Sequence, residues 1–385
     1  MILLKRTFSV LLLFILFISI CEINVNALNE QDINVSAKSA ILVCADSGQV
    51  IYSKNDKEKL PMASTTKIMT AILALEYSKS EDKKVQITND MIRVEGSSMG
   101  LMPGNVLTLE NVVKGMMMCS GNDAANTLAL SISGSREEFA NLMNEKAKQI
   151  GMNDTNFVTP SGLDNENHYS TAYDMALLAN YAMNNENFRN IVSQKSIRVP
   201  FIEPKESHTY QNHNKLLKTY EPCIGIKTGF TKTAGRCLVS AAIKDNKKLI
   251  AVTLKAPSDW DDHKKMFEYG FNKVKCINFD DSNVKYEIPV VGGENDIIHL
   301  KSSMSSDITV KSEDANKITR VVEVPRFVYA PVSEGDILGS IVYKLDSRVI
   351  AVNNLTSEDR IGNIEKKKSL WCKLKEFISN NFNLD

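Results

Sequence analysis

The sequence predicts an α+β protein in which helices flank an antiparallel sheet, followed by a small all-β domain and a C-terminal amphipathic helix. Strand-like runs stand at both ends of residues 28–278, and helical patterns lie between them. Residues 279–355 hold short strand-like runs with turn residues between some of them. Apolar residues recur at helical spacing within residues 356–385. These patterns divide the chain after residue 27 into three parts.

The composition is that of a globular protein without a strong charge. The 385 residues include 46 Lys and Arg and 46 Asp and Glu, so the formal net charge is zero. A nucleic-acid-binding protein carries a surplus of basic residues, and that class is therefore set aside. Hydrophobic residues make up 43% and charged residues 24%, which indicates a folded chain rather than a disordered one.

Residues 1–27 are typical of a secretory signal peptide. Lys5 and Arg6 precede an apolar run over residues 8–20, and Val25 and Ala27 place small residues before a cleavage site. The run is shorter than the roughly 20 apolar residues that a membrane span needs. We therefore expect an extracytoplasmic protein, with an uncleaved N-terminal anchor as the alternative.

Six cysteines remain after residue 27, at irregular spacings. The chain contains neither Cys-x-x-Cys nor His-Glu-x-x-His, so no zinc site is expected. A chain of this length does not need disulfides in order to fold. We therefore predict mostly buried free thiols.

The elements predicted for residues 28–278 follow from apolar periodicity. Apolar runs on either side of Asp46-Ser47-Gly48 indicate a β-hairpin, and residues 68–75 are apolar almost all round, as in a buried helix. The remaining stretches have either helical spacing or the composition of strands. The predicted elements are a hairpin of 40–43 and 49–52, helices at 68–75, 139–150 and 172–183, and strands at 224–228, 237–243 and 249–254.

The second region, residues 279–355, contains short strand-like runs only. Gly292-Gly293 and residues 334–336 provide turns between some of them. The predicted strands are 286–291, 297–300, 308–310, 320–324, 337–342 and 349–352. Because no catalytic set of side chains is apparent here, this domain is interpreted as a spacer or a binding surface.

The tail, residues 356–385, has an apolar face. Lys373 and Lys375 lie at the edges of this face, where their aliphatic stems can reach along a membrane interface. The pattern predicts a helix that lies on a membrane surface, with a helix packed on the β domain as the alternative. The residues that share the face are Leu370, Trp371, Leu374, Phe377, Ile378 and Phe382.

The first candidate catalytic motif is Ser64-Thr65-Thr66-Lys67, at the start of the buried helix. Residues three apart on a helix share a face, so the Ser64 hydroxyl and the Lys67 amine can meet. A helix N-terminus favours negative charge, which suits a serine oxygen that must become an alkoxide. Burial favours a neutral amine, which can accept the proton of the serine.

Two further motifs stand later in the chain. Ser120-Gly121-Asn122 can project a hydroxyl and an amide from one tight turn, although a simple helix cap has the same pattern. Lys227-Thr228-Gly229 ends an apolar strand, where a cation and a hydroxyl can bind a carboxylate. The glycine leaves room for a substrate backbone along the strand edge. Lys232-Thr233-Ala234 lies in the following turn and is the weaker candidate.

Each motif is common on its own, but the three in this order form the known signature of β-lactamases and penicillin-binding proteins. The chain resembles the low-molecular-mass penicillin-binding proteins, the serine-type D-alanyl-D-alanine carboxypeptidases of bacteria. The resemblance implies a β-lactamase/transpeptidase-like catalytic domain. Residues 258–263 and Arg236 are more similar to sporulation-type members. The segments that carry the resemblance are 61–70, 120–125, 151–157, 168–172 and 226–231.

The resemblance implies an acyl transfer from peptidoglycan stem peptides, without a metal or organic cofactor, and inhibition by β-lactams. Ser64 would attack the carbonyl between the two terminal D-alanines, and Lys67 would be its general base. Ser120 would pass the proton to the leaving D-alanine. Asn122, Lys227, Thr228 and Gly229 would bind the substrate. The backbone N–H groups of Ser64 and Phe230 would form the oxyanion hole.

Two other classes of protein are alternatives to the carboxypeptidase. A class A β-lactamase carries Glu-x-x-x-Asn between the second and third motifs, whereas Glu166 has no Asn four residues later. A non-catalytic wall protein is the other alternative, but all three motifs are intact. Endopeptidase or weak transpeptidase activity would use the same chemistry.

Overall fold

A computed structural model describes residues 33–79, 83–302 and 305–364. The predicted signal peptide, residues 1–27, and tail residues 365–385 lie outside the described residues. Within the described ranges, no helix has the length and apolar character needed to cross a membrane.

The centre of the first region is a five-stranded antiparallel sheet with the order β2-β1-β9-β8-β7. The β1–β2 hairpin and the three later strands lie where their apolar runs predicted them. Short two-stranded sheets lie at the periphery. The strands are β1 (Ser39–Cys44), β2 (Val50–Lys54), β3 (Lys84–Gln86), β4 (Val106–Thr108), β5 (Ser196–Pro200), β6 (Ser207–Gln211), β7 (Cys223–Thr231), β8 (Gly235–Lys244) and β9 (Lys247–Leu254).

Helices cover both faces of this sheet, because its central strands are apolar on both faces. Ile41 and Val43 belong to a core shared with the helices of one face. Leu42 points to the other face, where Gly270 of the last helix packs against it. The described helices are α1 (Lys67–Tyr77), α2 (Asn89–Ile92), α3 (Leu109–Cys119), α4 (Asn122–Ser133), α5 (Arg136–Gln149), α6 (Ala172–Met183), α7 (Glu186–Val192), α8 (Leu216–Thr219) and α9 (Asp259–Lys273).

Side-chain caps fix several helix starts. The hydroxyls of Thr108, Ser135 and Thr171 accept the backbone N–H groups three residues ahead, at the starts of α3, α5 and α6. The α4 helix ends at Gly134, whose φ of +77° is accessible to glycine without strain. The predicted helices at 68–75, 139–150 and 172–183 correspond to α1, α5 and α6 within a few residues.

The second region is all β apart from one 3₁₀ turn at Ser312–Lys317. One sheet pairs β10 with β13, and a six-stranded sheet has the order β14-β16-β17-β12-β11-β15. The boundary predicted at residue 279 stays a prediction, and β10 runs across it. The strands are β10 (Val274–Asp280), β11 (Lys285–Val291), β12 (Ile297–Lys301), β13 (Ser305–Lys311), β14 (Ile318–Glu323), β15 (Val328–Tyr329), β16 (Ile337–Leu345) and β17 (Arg348–Ser357).

The tip of the β1–β2 hairpin joins the two regions. Asp46 accepts the Thr309 N–H at 2.9 Å, and Gln49 accepts the Lys311 N–H at 2.9 Å. Two side chains thus satisfy alternate N–H groups of β13, as a neighbouring strand would.

The cysteines of the described residues are unpaired, which confirms the predicted free thiols for five of the six. Cys44, Cys223 and Cys237 are buried, whereas Cys119 and Cys276 are half-buried. Cys372 lies outside the described residues.

Candidate active site

Ser64 lies in a tight turn just before the buried helix. Residues Ala63–Thr66 form a 3₁₀ turn, and α1 begins at Lys67. The Lys67 Nζ atom lies 3.0 Å from the Ser64 Oγ atom. The sequence therefore correctly predicted that these two side chains meet, although the serine belongs to a 3₁₀ turn rather than to the helix itself.

Lys67 is fully buried and has no carboxylate partner among the described residues. Its amine contacts two uncharged oxygen atoms, Asn122 Oδ1 and the Ser161 carbonyl, each at 2.7 Å. Burial, and then the charge of nearby Lys227, lower the pKa of Lys67 well below its ordinary value. A lysine in this environment can be neutral and can accept a proton from Ser64.

Ser120 and Lys227 form a second hydroxyl–amine pair. Ser120 ends α3 in a left-handed conformation, with φ of 62° and ψ of 30°, and is buried. Lys227, from the middle of β7, places its Nζ atom 3.0 Å from the Ser120 Oγ atom and 3.1 Å from the Thr228 carbonyl. Burial lowers the pKa of Lys227 to about 8. The pair links the second motif to the third.

The strand edge carrying Thr228, Gly229 and Phe230 runs beside the nucleophile turn. A Cβ atom on Gly229 would lie 3.0 Å from both the Ser64 N atom and the Met62 carbonyl oxygen, so a larger residue would require the nucleophile turn to move by a few tenths of an ångström. Phe230 is the most solvent-exposed of the three, with 67% of its surface accessible. All three border the space in front of Ser64.

Asn122 connects Lys67 to an overlying loop. Its Oδ1 atom accepts from Lys67, while its Nδ2 atom donates to the Glu95 carbonyl at 2.7 Å. The predicted role of Asn122 in holding a substrate peptide is not tested by these contacts. They show that the amide also fixes the position of the lysine.

Asp123, which directly follows the second motif, has no role assigned from the sequence. Its buried carboxylate accepts the Ser98 hydroxyl at 2.6 Å and the backbone N–H groups of Met99, Gly100 and Leu101. The carboxylate thereby fixes the loop that carries Ser97 to the cavity. The signal in the sequence for this role is an Asp directly after the Ser-x-Asn motif. The groups that the carboxylate binds in the loop are more than 20 residues away in the chain, so spacing does not predict them.

The space in front of Ser64 is a cavity of about 320 Å³. Arg236 borders it, and its Nε and Nη2 atoms donate to Asp259 Oδ1 at 2.9 and 2.7 Å. The guanidinium also lies 5.4 Å from the Trp260 ring, as in a cation–π contact. The lining residues are Ser64, Ser97, Ser120, His213, Lys215, Thr228, Gly229, Phe230, Arg236, Asp259 and Trp260.

Taken together, the site has a half-exposed serine beside a buried amine and a cationic strand edge beside an open cavity. This arrangement suits acyl transfer from a substrate with a carboxylate near the reacting carbonyl.

Family models match most of the chain. One described as D-alanyl-D-alanine carboxypeptidase matches residues 25–258, and one described as penicillin-binding protein 5, C-terminal domain, matches residues 271–362. The chain is 33% identical to D-alanyl-D-alanine carboxypeptidase DacF of Bacillus subtilis (strain 168), over 92% of this chain and 94% of that protein. It is 31% identical to DacC of Escherichia coli (strain K12), over 82% of each chain.

Solved structures extend the similarity to the fold. The D-alanyl-D-alanine carboxypeptidase DacD from Francisella tularensis superposes with a TM-score of 0.61 at 26% identity, covering 87% of this chain and 96% of that one. Penicillin binding protein 5 from Haemophilus influenzae gives 0.61 at 28% identity, covering 86% and 99%. These matches confirm the predicted fold class and resemblance. The chain belongs to the D-alanyl-D-alanine carboxypeptidase family.

Proposed function

We propose that the protein is a serine-type hydrolase that removes the terminal D-alanine from peptidoglycan stem pentapeptides through an acyl-enzyme on Ser64. Membership of the family supports the reaction and the class of substrate. The observation that carries the assignment of Ser64 is its contact, at 3.0 Å, with the fully buried amine of Lys67.

In the acylation step, the Ser64 oxygen attacks the carbonyl carbon between the two D-alanines. The serine proton moves to the neutral Lys67 amine, which lies within hydrogen-bond distance. Negative charge develops on the carbonyl oxygen, which the N–H groups of Ser64 and Phe230 stabilise. One such donor contributes about 3–4 kcal/mol to transition-state stabilisation.

The tetrahedral intermediate collapses when the C–N bond breaks and the D-alanine amine takes a proton. Ser120 passes to the amine the proton that Lys67 took from Ser64, so the Ser120 hydroxyl is restored, and Lys227 supports that hydroxyl at 3.0 Å. The leaving D-alanine departs with its carboxylate, which Lys227 and Thr228 bind at the strand edge. Asn122 holds the peptide on the acyl side, and Gly229 leaves space for its backbone.

Water then attacks the ester carbonyl and gives one proton to the neutral Lys67 amine, the bond between the acyl carbon and the Ser64 oxygen breaks, and Lys67 returns the proton to Ser64. The cycle is complete with amino acid side chains and water, so the mechanism requires no cofactor. A β-lactam presents a carboxylate and a reactive amide in the same relative positions, and it acylates Ser64 as the peptide does. The ring-opened acyl group keeps its leaving amine attached, so its hydrolysis is slow.

A β-lactamase is the alternative acyl-transfer enzyme. Glu166 is exposed and lines a different cavity, of about 530 Å³, together with Lys59 and Tyr169. Ser64 does not border that cavity. Glu166 is therefore not placed to activate water against a Ser64 ester, and no contact of the described residues favours this alternative.

The decisive experiment measures D-alanine release from a diacyl-Lys-D-Ala-D-Ala peptide, together with labelling by a fluorescent penicillin. We expect both with the wild-type protein and neither with Ser64→Ala. Ser78→Ala, at the far end of the same helix, is the matched control and retains both activities. Labelling that persists in Ser64→Ala would contradict the nucleophile assignment. Penicillin hydrolysis without D-alanine release would indicate the β-lactamase, and labelling without turnover of either compound would indicate a non-catalytic binding protein.

We further propose secretion through residues 1–27 and attachment to the outer face of the cytoplasmic membrane through the tail. The apolar face and flanking lysines of residues 370–382 support attachment. Ile361 is buried in the β region and pairs with Val332, so a truncation that spares the fold removes residues 365–385 only. We expect the full chain, and not the truncated one, to sediment with anionic lipid vesicles. Equal sedimentation of the two would contradict the anchor.

A further inference from the structure

A buried histidine is hydrogen-bonded to the turn that carries Ser64, through the side chain of Thr66. His168 is only 3% exposed; its Nδ1 atom lies 2.9 Å from the Val158 N–H group and its Nε2 atom 2.9 Å from the Thr66 hydroxyl. A backbone N–H can only donate, so Nδ1 is the acceptor and the neutral ring carries its proton on Nε2. Burial lowers the pKa of His168 to about 4, which keeps the ring neutral near pH 7.

Thr66 continues this chain of hydrogen bonds from His168 to the Ala63 carbonyl. Its hydroxyl accepts from His168 Nε2 and donates its single proton to the Ala63 carbonyl at 2.8 Å. Thr66 is completely buried, so solvent water does not compete for either contact. The order of donors and acceptors is therefore fixed from Val158 to Ala63.

The Ala63 carbonyl and the Ser64 N–H belong to one peptide group. In a trans peptide these two groups point in opposite directions within one plane. Holding the carbonyl therefore also sets the direction of the N–H, whose nitrogen lies beside Gly229 of β7. This N–H is one of the two oxyanion donors in the proposed mechanism.

The turn needs such support because its backbone is strained. Ala63 has a φ of +48°, in the left-handed region that residues with a Cβ atom disfavour. Gly162 packs against the same carbonyl, and a Cβ atom there would lie 1.9 Å from the Ala63 oxygen. The carbonyl is thus enclosed by Thr66 and Gly162, which exclude other orientations of the peptide group.

We propose that His168 and Thr66 are positioning residues that direct the Ser64 N–H at the oxyanion by holding the Ala63 carbonyl. The inference rests on the proposed function. The oxyanion charge exists only in the transition state, so loss of this alignment lowers kcat and the acylation rate and leaves KM nearly unchanged.

The test compares two threonines of the same turn. Thr66→Val keeps the shape of the side chain but removes the bond to Ala63, and Thr66→Ser keeps the bond. Thr65→Val is the matched control, because the buried Thr65 hydroxyl donates at 2.6 Å to Met62, whose carbonyl belongs to the preceding peptide group. All variants are checked for an unchanged thermal midpoint, and kcat, KM and the penicillin acylation rate are measured.

We expect Thr66→Val to lower kcat and the acylation rate by about 10- to 100-fold, less than the loss of a whole oxyanion donor. KM should stay within about twofold, and Thr66→Ser and Thr65→Val should remain within about threefold of wild type. His168→Leu should lower kcat similarly, and the double variant with Thr66→Val should be no worse than either single one, because both residues act through one carbonyl.

Equal losses in Thr66→Val and Thr65→Val, or a rise in KM at unchanged kcat, would overturn the inference. Additive losses in the double variant would also overturn it. Failure of the proposed function has a different signature, since it appears in the wild-type protein as absence of D-alanine release or in Ser64→Ala as persistent penicillin labelling.

Discussion

Two buried charged sites, one in each region of the molecule, have opposite surroundings. In the catalytic region, Lys67 and Lys227 are buried and contact only uncharged oxygen atoms among the described residues. In the β region, the carboxylate of Asp281 is 2% exposed and is bound by Arg320 at 3.0 Å and by the Asn353 amide at 2.8 Å. The Tyr343 hydroxyl also donates to this carboxylate.

This difference separates a reactive site from a structural one. An unpaired buried ammonium loses its hydration without a counter-ion, and its pKa falls until the neutral amine becomes accessible. A buried carboxylate with a guanidinium and two further donors ties together strands that are distant in sequence. The lysines can therefore exchange protons with a serine, whereas Asp281 holds β14, β16 and β17 in place.

The largest expected effect comes from replacing Lys67, the unpaired lysine beside Ser64. Lys67→Met removes the general base, and we expect D-alanine release and penicillin acylation to fall by about 10²- to 10⁴-fold. Lys59→Met, at a half-exposed lysine in an ion pair with Asp154, is the matched control and keeps wild-type rates. Circular dichroism should show a folded protein in both variants. If penicillin acylates Lys67→Met at the wild-type rate, the unpaired lysine is not the base, and the contrast between the two buried sites has no chemical consequence.

The second test replaces the paired carboxylate of the β region. Asp281→Ala leaves the guanidinium and two other donors without their acceptor, and we expect a loss of about 3 kcal/mol in the free energy of unfolding. The rate of D-alanine release at 25 °C should stay within about twofold, since the carboxylate does not border the Ser64 cavity. Calorimetry and hydrogen exchange of β16 and β17 measure the change. An equal effect from the neighbouring Asp280→Ala would show that Asp281 has no special role.

The third test measures how KM depends on pH, and it addresses the role of Lys227 in binding the substrate carboxylate. Its pKa of about 8 means that the ammonium is present below that pH and is lost above it. If this charge binds the substrate carboxylate, KM is constant below about pH 8 and rises by up to about tenfold per pH unit above it. Lys227→Met should have a high KM that does not change between pH 7 and pH 10. A KM that falls above pH 8 in the wild-type protein would contradict the assignment.

The smallest expected effect concerns the thiols. Burial raises the pKa of Cys44 to about 12 and that of Cys223 and Cys237 to about 11, which keeps them as unreactive thiols. Because neither region is cross-linked within the described residues, a reductant should shift the thermal midpoint by less than about 1 °C. A large shift would show that disulfides, rather than the cores, stabilise one of the regions.

Local patterns predicted part of the secondary structure. The α6 helix begins and ends where its apolar spacing and the Thr171 cap place it. The strands predicted from apolar runs in both regions correspond to strands of the structure. The long helices α3, α4 and α9 were not predicted. Short elements such as α2 and the β3–β4 pair were not predicted either, because four or fewer residues do not establish a period.

Within the site, the sequence predicted residues whose partners lie in the same motif. It also predicted residues whose partners lie in another motif of the three-motif signature. The contact between Ser64 and Lys67 follows from helical spacing. The loop anchored by Asp123 and the hydrogen bonds through His168 were not predicted, because both join segments that are distant in the chain. Sequence spacing carries no information about such contacts until the sheet and helices are packed.

The sequence by itself predicted the candidate reacting groups: two serines, two lysines, an asparagine and a threonine–glycine edge, in the order that β-lactamases and penicillin-binding proteins share. The tertiary structure alone decided their electrostatic state, because the pKa of a lysine depends on which oxygen atoms replace its water. It also decided the direction of the Ser64 N–H, because His168, more than 100 residues away in the chain, holds that peptide group through Thr66.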